Sequence, residues 1–405
     1  MSLSANLPPE LWYHVIYWAT FTAIRQCDME PKAFGQLCDQ DNSLATRALA
    51  LSTKRSLVLV CSQWNALATE FLHEDVLVRH GSKALADVLD GSTPSRINGL
   101  AKYVRRVCIP LVTPDPKEIF ETDSSRIISM CPNLTAITCY SGPDDGRVEF
   151  DDWFDRPHLT NVIPTESLRR FEWENHNSVN TTYLPSFLWK LTNLRSLSLR
   201  GSMHFPPRIA PLNFPKLHTL RLRMKLHESS YPMTVFLRAT IPALRHVILE
   251  TPLPGTAVSE RFWTKFGSTL QVVEFGRHVE FLNAPPEGLS MMLRCCTQLE
   301  EFNFPIFFLF FPNPSVGYGN AHVKHIGIHP ARNHLFDDRD HQGNWRWDQL
   351  QSHWTSFGEI YPSLKHIILY GDWRKVFSDG RFPPLIRMVQ SRGINVSRED
   401  GVPVT

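Results

Sequence analysis

A short apolar pattern, Ψ-x-x-Ψ-x-Ψ with Ψ apolar, returns ten times between Val104 and Leu369, and few folds can accommodate it. The copies are VRRVCI at Val104, LTAITC at Leu134, LRRFEW at Leu168, LRSLSL at Leu194, LHTLRL at Leu217, LRHVIL at Leu244, LQVVEF at Leu270, LEEFNF at Leu299, VKHIGI at Val323 and LKHIIL at Leu364. Successive starts lie 30, 34, 26, 23, 27, 26, 29, 24 and 41 residues apart. Within each copy the apolar residues end on an alternation of period two, the mark of a strand with one face turned to a core. Several copies carry a proline lead-in (CPNL, FPKL, IPAL, YPSL), and helix-like stretches such as MTVFLRATIPAL and LSMMLRCCTQL precede others. A strand and a helix of this size cannot bury their apolar faces alone, so neighbouring units must stack and complete one another's core.

Most of these intervals fall near the roughly 20 to 29 residues of a leucine-rich repeat. The expected fold class is therefore α/β, with residues 81–405 forming an irregular leucine-rich-repeat solenoid on a curved parallel sheet, one strand and one helix per repeat. A chain of 405 residues also exceeds one ordinary compact domain unless it is repetitive. Two features depart from the pattern. The Asn or Cys usual three residues beyond the last apolar position is mostly absent, and residues 329–357 read as an irregular insertion. A mixed α/β domain of another kind is the alternative.

The first eighty residues have a different character. In LPPELWYHVIYWAT, Pro8 and Pro9 suit a helix's first turn, Glu10 suits its positive end, and Leu11, Trp12, Val15, Ile16 and Ala19 recur at helical spacing. In SLVLVCSQWNALATEFL, Ser56 to Leu72, the same period runs through Leu57, Val60, Cys61, Trp64, Leu67, Ala68, Phe71 and Leu72, which predicts a second helix. The segment between, about residues 25–55, is polar and reads as an inserted loop with one short helix. Two helices with more apolar surface than a small unit can hide point to a docking module.

The two halves together resemble an F-box. LPPEL matches Leu-Pro-x-Glu-(Leu/Ile) followed by helical hydrophobics, and LVCSQW matches a Leu-Val-Cys-x-x-Trp core. The intervening segment is longer than in most F-boxes and is similar to that of large fungal families. The resemblance covers about residues 6–78 and assigns residues 1–80 to an F-box module. It implies a substrate adaptor that binds the Skp adaptor of a cullin-RING ubiquitin ligase and presents a protein through the repeats. Position by position, Leu7, Pro8, Glu10, Leu11, Val15, Ile16, Val60, Cys61, Trp64 and Leu67 match the motif. Some of these must face the Skp adaptor and others the module's own core; Pro8 reads as a contact and Trp64 as core. A non-ligase F-box protein, or a repeat scaffold with no adaptor, is the alternative. Neither reading needs a catalytic residue or a cofactor.

In a leucine-rich repeat, positions three, five and seven of each hexamer alternate onto the open face. They are Arg170, Glu172 and Glu174; Ser196, Ser198 and Arg200; Thr219, Arg221 and Arg223; His246, Ile248 and Glu250. Arg200, Arg221 and Arg223 make a candidate substrate site for an acidic or phosphorylated protein, joined by Arg170, Glu172, Ser198 and His246. A plain solvated sheet face is the competing expectation. The stretch HQGNWRWDQLQSHW, His341 to Trp354, is read either as a recognition loop with aromatic anchors or as aromatic packing under a loop. His341 and His353 lack further ligands at metal-binding spacing.

Charge excludes some classes. With 42 basic and 40 acidic side chains the net charge is +2, which offers no overall pull toward nucleic acid or a membrane surface. The apolar run Phe302 to Phe311 is interrupted by a proline and is half the ~20 residues a span requires. Eight scattered cysteines without a C-x-x-C, and no signal-like basic segment ahead of Leu11, predict an intracellular protein, cytoplasmic or nuclear. The sequons at Asn133, Asn180 and Asn395 then carry no meaning. No nucleophile elbow, phosphate loop, dinucleotide fingerprint or H-E-x-x-H occurs.

Overall fold

The computed structural model describes residues 7–20, 33–34, 40–78, 82–90, 99–110, 124, 126–140, 163–175, 182–183, 186–201, 203–204, 211–224, 230–251, 255–276, 286–306, 320–330 and 343–404. The chain divides into two compact units, Met1–Asn193 and Leu194–Thr405.

In the first unit, helix α1 (Pro9–Ala19) begins where the prolines predict, with the Leu11 and Trp12 amides donating to the Pro8 carbonyl. Within the polar segment the expected short helix is a long one: α2 covers Gln40–Val58. The second predicted helix is in turn interrupted. After α2 the chain turns through Leu59 to Cys61 and α3 (Ser62–His73) starts afresh. The cause is Asn65, whose side-chain amide donates to the Val58 carbonyl at 2.8 Å and so satisfies the end of α2, while its own N–H opens α3 on the Cys61 carbonyl. Ile16, Ala68 and Phe71 form the module's core, with Tyr13, Tyr17, Leu57, Val58 and Leu67 packed around them.

Strand β1 (Asp75–Leu77) follows directly and pairs in parallel with β2 (Arg106–Pro110), which pairs with β3 (Ala136–Tyr140), which pairs with β4 (Arg170–Asn175). Helix α4 (Ser82–Asp90) lies between β1 and β2 in the chain. A partly buried ion relay links α2 to these strands: Lys54 meets Asp75 at 3.4 Å, Asp75 meets Arg106, and Arg106 meets Glu74 at 2.9 Å. Helical module and first strands thus belong to one compact body.

The second unit runs β5 (Ser196–Gly201), β6 (Thr219–Met224), β7 (His246–Leu249), β8 (Val272–Phe275), β9 (Glu301–Pro305), β10 (His325–His329), β11 (His366–Leu369) and β12 (Asn395–Arg398), each parallel to the next in sequence order. Parallel neighbours require a crossover, and helices supply most of them: α5 (Ser230–Arg238), α6 (Gly255–Phe266), α7 (Pro286–Cys295), α8 (Gly343–Ile360), then α9 (Arg374–Phe377) and α10 (Phe382–Ser391).

All ten hexamers are strands, and every residue at their first, fourth and sixth positions is buried. That is the outcome of period two with one face turned inward: at 25 cal/mol per Å2, a buried Leu or Phe contributes about 1.5 to 3 kcal/mol. Repeats are also joined by polar caps. Lys265 on α6 donates to the Leu237 and Ala239 carbonyls at the end of α5, both at 2.7 Å, and Asn320 donates to the Leu293 and Cys296 carbonyls at the end of α7, at 3.0 and 2.9 Å. The outer edge of β12 is closed by the chain's own tail, through Arg398 N–H to the Val402 carbonyl and Val404 N–H to the Val396 carbonyl.

In the segment read as an irregular insertion, the described part from Gly343 onward is the helix α8. Its Trp347, Leu350, Trp354 and Phe357 are buried, and Trp354 packs edge-on against Phe382 of α10 at 5.4 Å. Trp347 and Trp354 are therefore core of a repeat helix and not anchors on a loop, while the side chain of Trp345 lies outside the described residues. His353 is buried with them, whereas His341 lies outside the described residues. Among the described residues no helix is long and apolar enough to cross a membrane.

Candidate protein-interaction surfaces

The motif residues of the helical module separate cleanly by burial. Ile16 is fully buried; Leu7, Trp64 and Leu67 are half-buried; Pro8, Glu10, Leu11, Val15, Val60 and Cys61 are exposed. Trp64 is thus not the closed core residue its motif position predicted. Its ring lies against Trp12 at 4.8 Å, tilted, on the margin of the module. On α1 the residues Leu11, Val15 and Trp18, spaced four and three apart, form one apolar stripe with exposures of 48%, 46% and 66%. The turn before α3 adds Leu59 at 83% and Val60 at 58%, and Leu49 of α2 is 70% exposed.

Trp18, Leu49 and Leu59 lay outside the sequence prediction. Trp18 was legible as the i+3 neighbour of Val15. Leu59 was hidden by the break that places it on a turn, and Leu49 by the polar helix that carries it.

The strand-face candidates hold their predicted register but not their predicted exposure. Across β5, β6 and β7 the pairs are Arg200 with Arg223, Ser198 with Arg221, and Thr219 with His246. The arginines are not presented to solvent as a basic cluster. Arg200 reaches Glu250 at 2.6 Å, and Arg221 lies between Glu250 at 3.6 Å and Glu274 at 3.8 Å, all four side chains being buried. Arg223 lies 4.0 Å from Glu250 and keeps about a third of its side chain exposed, 32%. In the first unit Arg170 pairs with Glu172, and both are buried, as is Glu174.

The expectation of an open face fails for a physical reason. A guanidinium taken out of water needs a carboxylate beside it; Glu250 and Glu274, one or two strands further along the sheet, supply it for Arg200 and Arg221, and Glu172 on the same strand supplies it for Arg170. Gly276, in register beside Glu250, makes room for it: a Cβ there would stand 2.6 Å from the Glu250 Cγ. Gly327 does the same for Asn303, whose Oδ1 would be 2.1 Å from a Cβ. His246 is buried in this row, and its Nε2 has no hydrogen-bond partner. Burial first, and the Arg221 charge second, push its pKa down to about 3, so the ring is neutral at physiological pH. Ser198 is buried as well.

No family model matches the chain, and no curated protein matches it. Among solved structures it is similar to the leucine-rich repeat-containing protein LegL7 from Legionella pneumophila, with 10% identity, 78% of this chain and 97% of that chain covered, and a TM-score of 0.39.

Proposed function

We propose that this chain is a substrate adaptor of a Skp-cullin-F-box ubiquitin ligase: the helical module docks on the Skp adaptor, and the repeats bind a protein substrate. The observation that carries the reading is the stripe of water-exposed apolar side chains Leu11, Val15 and Trp18 on α1, together with the exposed Leu59 and Val60 on the turn before α3, in the segment that matches the F-box motif. Side chains of this kind grouped on one small module are the mark of a surface that a partner covers. Of the motif residues, Pro8, Glu10, Leu11, Val15, Val60 and Cys61 are then partner-facing, while Ile16 holds the module together.

The mechanism is proximity. The adaptor reading places the substrate at high effective concentration beside a ubiquitin-loaded enzyme brought by other subunits, so that the cost of encounter is met by binding and no side chain of this chain takes part in bond making. Rigidity serves that task, and the Lys54–Asp75–Arg106–Glu74 relay supplies it between the module and the first strands.

The test is affinity capture of the full chain and of a Val15→Asp, Val60→Asp variant from cells under proteasome inhibition. The reading expects the Skp adaptor and cullin with the wild-type chain and their loss with the variant. Capture of the Skp adaptor without cullin would favour a non-ligase F-box protein, and capture of neither a repeat scaffold.

A further inference from the structure

The residues at the second position of each hexamer sit just ahead of the strands. In three consecutive repeats of the second unit they are Arg195, His218 and Arg245, and all three are exposed. Their backbones are locked side by side: the His218 and Thr219 amides donate to the Arg195 carbonyl at 2.9 and 3.0 Å, the Arg245 and His246 amides to the His218 carbonyl at 3.0 and 2.9 Å, and the Gln271 amide to the Arg245 carbonyl at 2.8 Å. The register therefore fixes a ridge of basic groups one strand spacing apart.

We infer that the Arg195–His218–Arg245 ridge is a docking site for an acidic segment of another polypeptide. Three observations carry this. First, the ridge differs from the buried arginines a few residues along the same strands. Arg200 and Arg221 are matched by Glu250 and Glu274, whereas no carboxylate stands within ion-pair distance of Arg195 or Arg245 among the described residues. Second, the three groups act on one another: after burial, the charges of Arg245 and then Arg195 hold the His218 ring below its ordinary pKa, so the two guanidinium fields overlap at the middle of the ridge. Third, the ridge ends within the second unit: the next second-position residues are Gln271, half-buried, and Glu300, which pairs with Lys324 at 2.9 Å.

The dimensions suit a peptide. Arg195 and Arg245 are separated by two strand spacings, about 10 Å, and an extended chain advances the same distance in about three residues. Two acidic side chains three residues apart can each meet one guanidinium fork. A nucleic acid strand is a poorer fit, because a protein that holds one through about six to ten phosphate contacts needs as many cations, and this ridge offers two guanidiniums and one imidazole before the neutral Gln271 and the Glu300–Lys324 ion pair.

The inference goes beyond the adaptor reading and stands without it, since the assay that tests it contains no Skp adaptor. Binding of labelled hexaglutamate to the full chain is followed by fluorescence polarisation, with hexaglutamine and a short oligothymidylate as comparison probes. The wild-type chain should bind hexaglutamate and not hexaglutamine. Arg195→Gln and Arg245→Gln should each weaken binding about twofold to fivefold, the double variant about tenfold, and the effect should fade as salt is raised. Arg387→Gln, an exposed arginine on α10, should bind as the wild type does. The Arg195→Glu, Arg245→Glu variant should instead take up hexalysine. Unchanged hexaglutamate binding in a folded Arg195→Gln, Arg245→Gln variant would overturn the assignment. So would tighter binding of oligothymidylate than of hexaglutamate, or no hexaglutamate binding by the wild-type chain.

Discussion

The helical module and the strand face of the repeats invert one another. On α1 and the turn before α3, Leu11, Val15, Leu59 and Val60 stand in water; on the strands, Arg200, Arg221, Glu250 and Glu274 are removed from it. Residue type alone would have placed each group the other way. The difference teaches that exposure is decided by what the neighbours can supply. Charges are buried where the parallel register brings a counter-charge from one or two strands along, and apolar groups stay out where a three-helix unit has too little interior to hold them. The buried ions are then architecture, and the exposed apolar groups are the place to look for a partner.

The sharpest way to break this comparison is Glu250→Ala. One carboxylate serves Arg200, Arg221 and, at longer range, Arg223. Its removal leaves buried guanidinium charge uncompensated, which should cost about 3 to 5 kcal/mol in urea-induced unfolding. A cost near zero would mean that these arginines are hydrated after all and that the strand face is open. Next in size is Trp64→Ala. The ring packs on Trp12 from a half-buried position, so the loss should be about 2 to 3 kcal/mol, below the ~3 to 5 of a fully enclosed tryptophan. The upper figure would return Trp64 to the core.

A pH titration sharpens the strand-face half. His246 has a folded pKa of about 3, against roughly 6.5 in an unfolded chain. Between those values the unfolded state binds the extra proton, so the stability that the neutral ring contributes is complete above about pH 6.5 and is lost as the pH falls. At pH 5 the loss should reach about 2 kcal/mol, read as the difference in acid slope between the wild-type chain and His246→Gln. Parallel slopes would show that the ring meets water.

The core of the repeats was legible because it depends on one local rule. Leu194, Leu197 and Leu199, and the same three positions in every other hexamer, need only alternation to reach the interior. The ion pairs were not, since Arg200 and Glu250 are fifty residues apart and meet only when three hexamers are laid in register. The signal for these pairs lies across the copies and not along any one of them. The strands β1 and β12 were overlooked because each shows only a fragment of the pattern, Val76 and Val78 in one and Ile394 and Val396 in the other. In the module, apolar periodicity ran through Leu59 to Cys61 and concealed a helix break whose signal was a single polar residue, Asn65. The polar helix Gln40–Val58 offered no apolar stripe to be read.

The smallest stability effect is the most informative about the module. Val15 and Val60 are about half exposed, so a charged group at either site meets water and not the interior. Val15→Asp should change unfolding free energy by no more than about 0.5 kcal/mol, the range of surface substitutions. Ile16→Ala, one residue further along the same helix, should cost about 2 to 4 kcal/mol, because Ile16 sits at the centre of the module with Ala68 and Phe71. Two adjacent residues, one turned outward and one inward, thus separate binding from folding. Under the adaptor reading, Val15→Asp loses the Skp adaptor from an otherwise stable chain. Were Val15→Asp to destabilise the module as much as Ile16→Ala, the stripe on α1 would be interior and the argument from exposed apolar surface would have no surface to stand on.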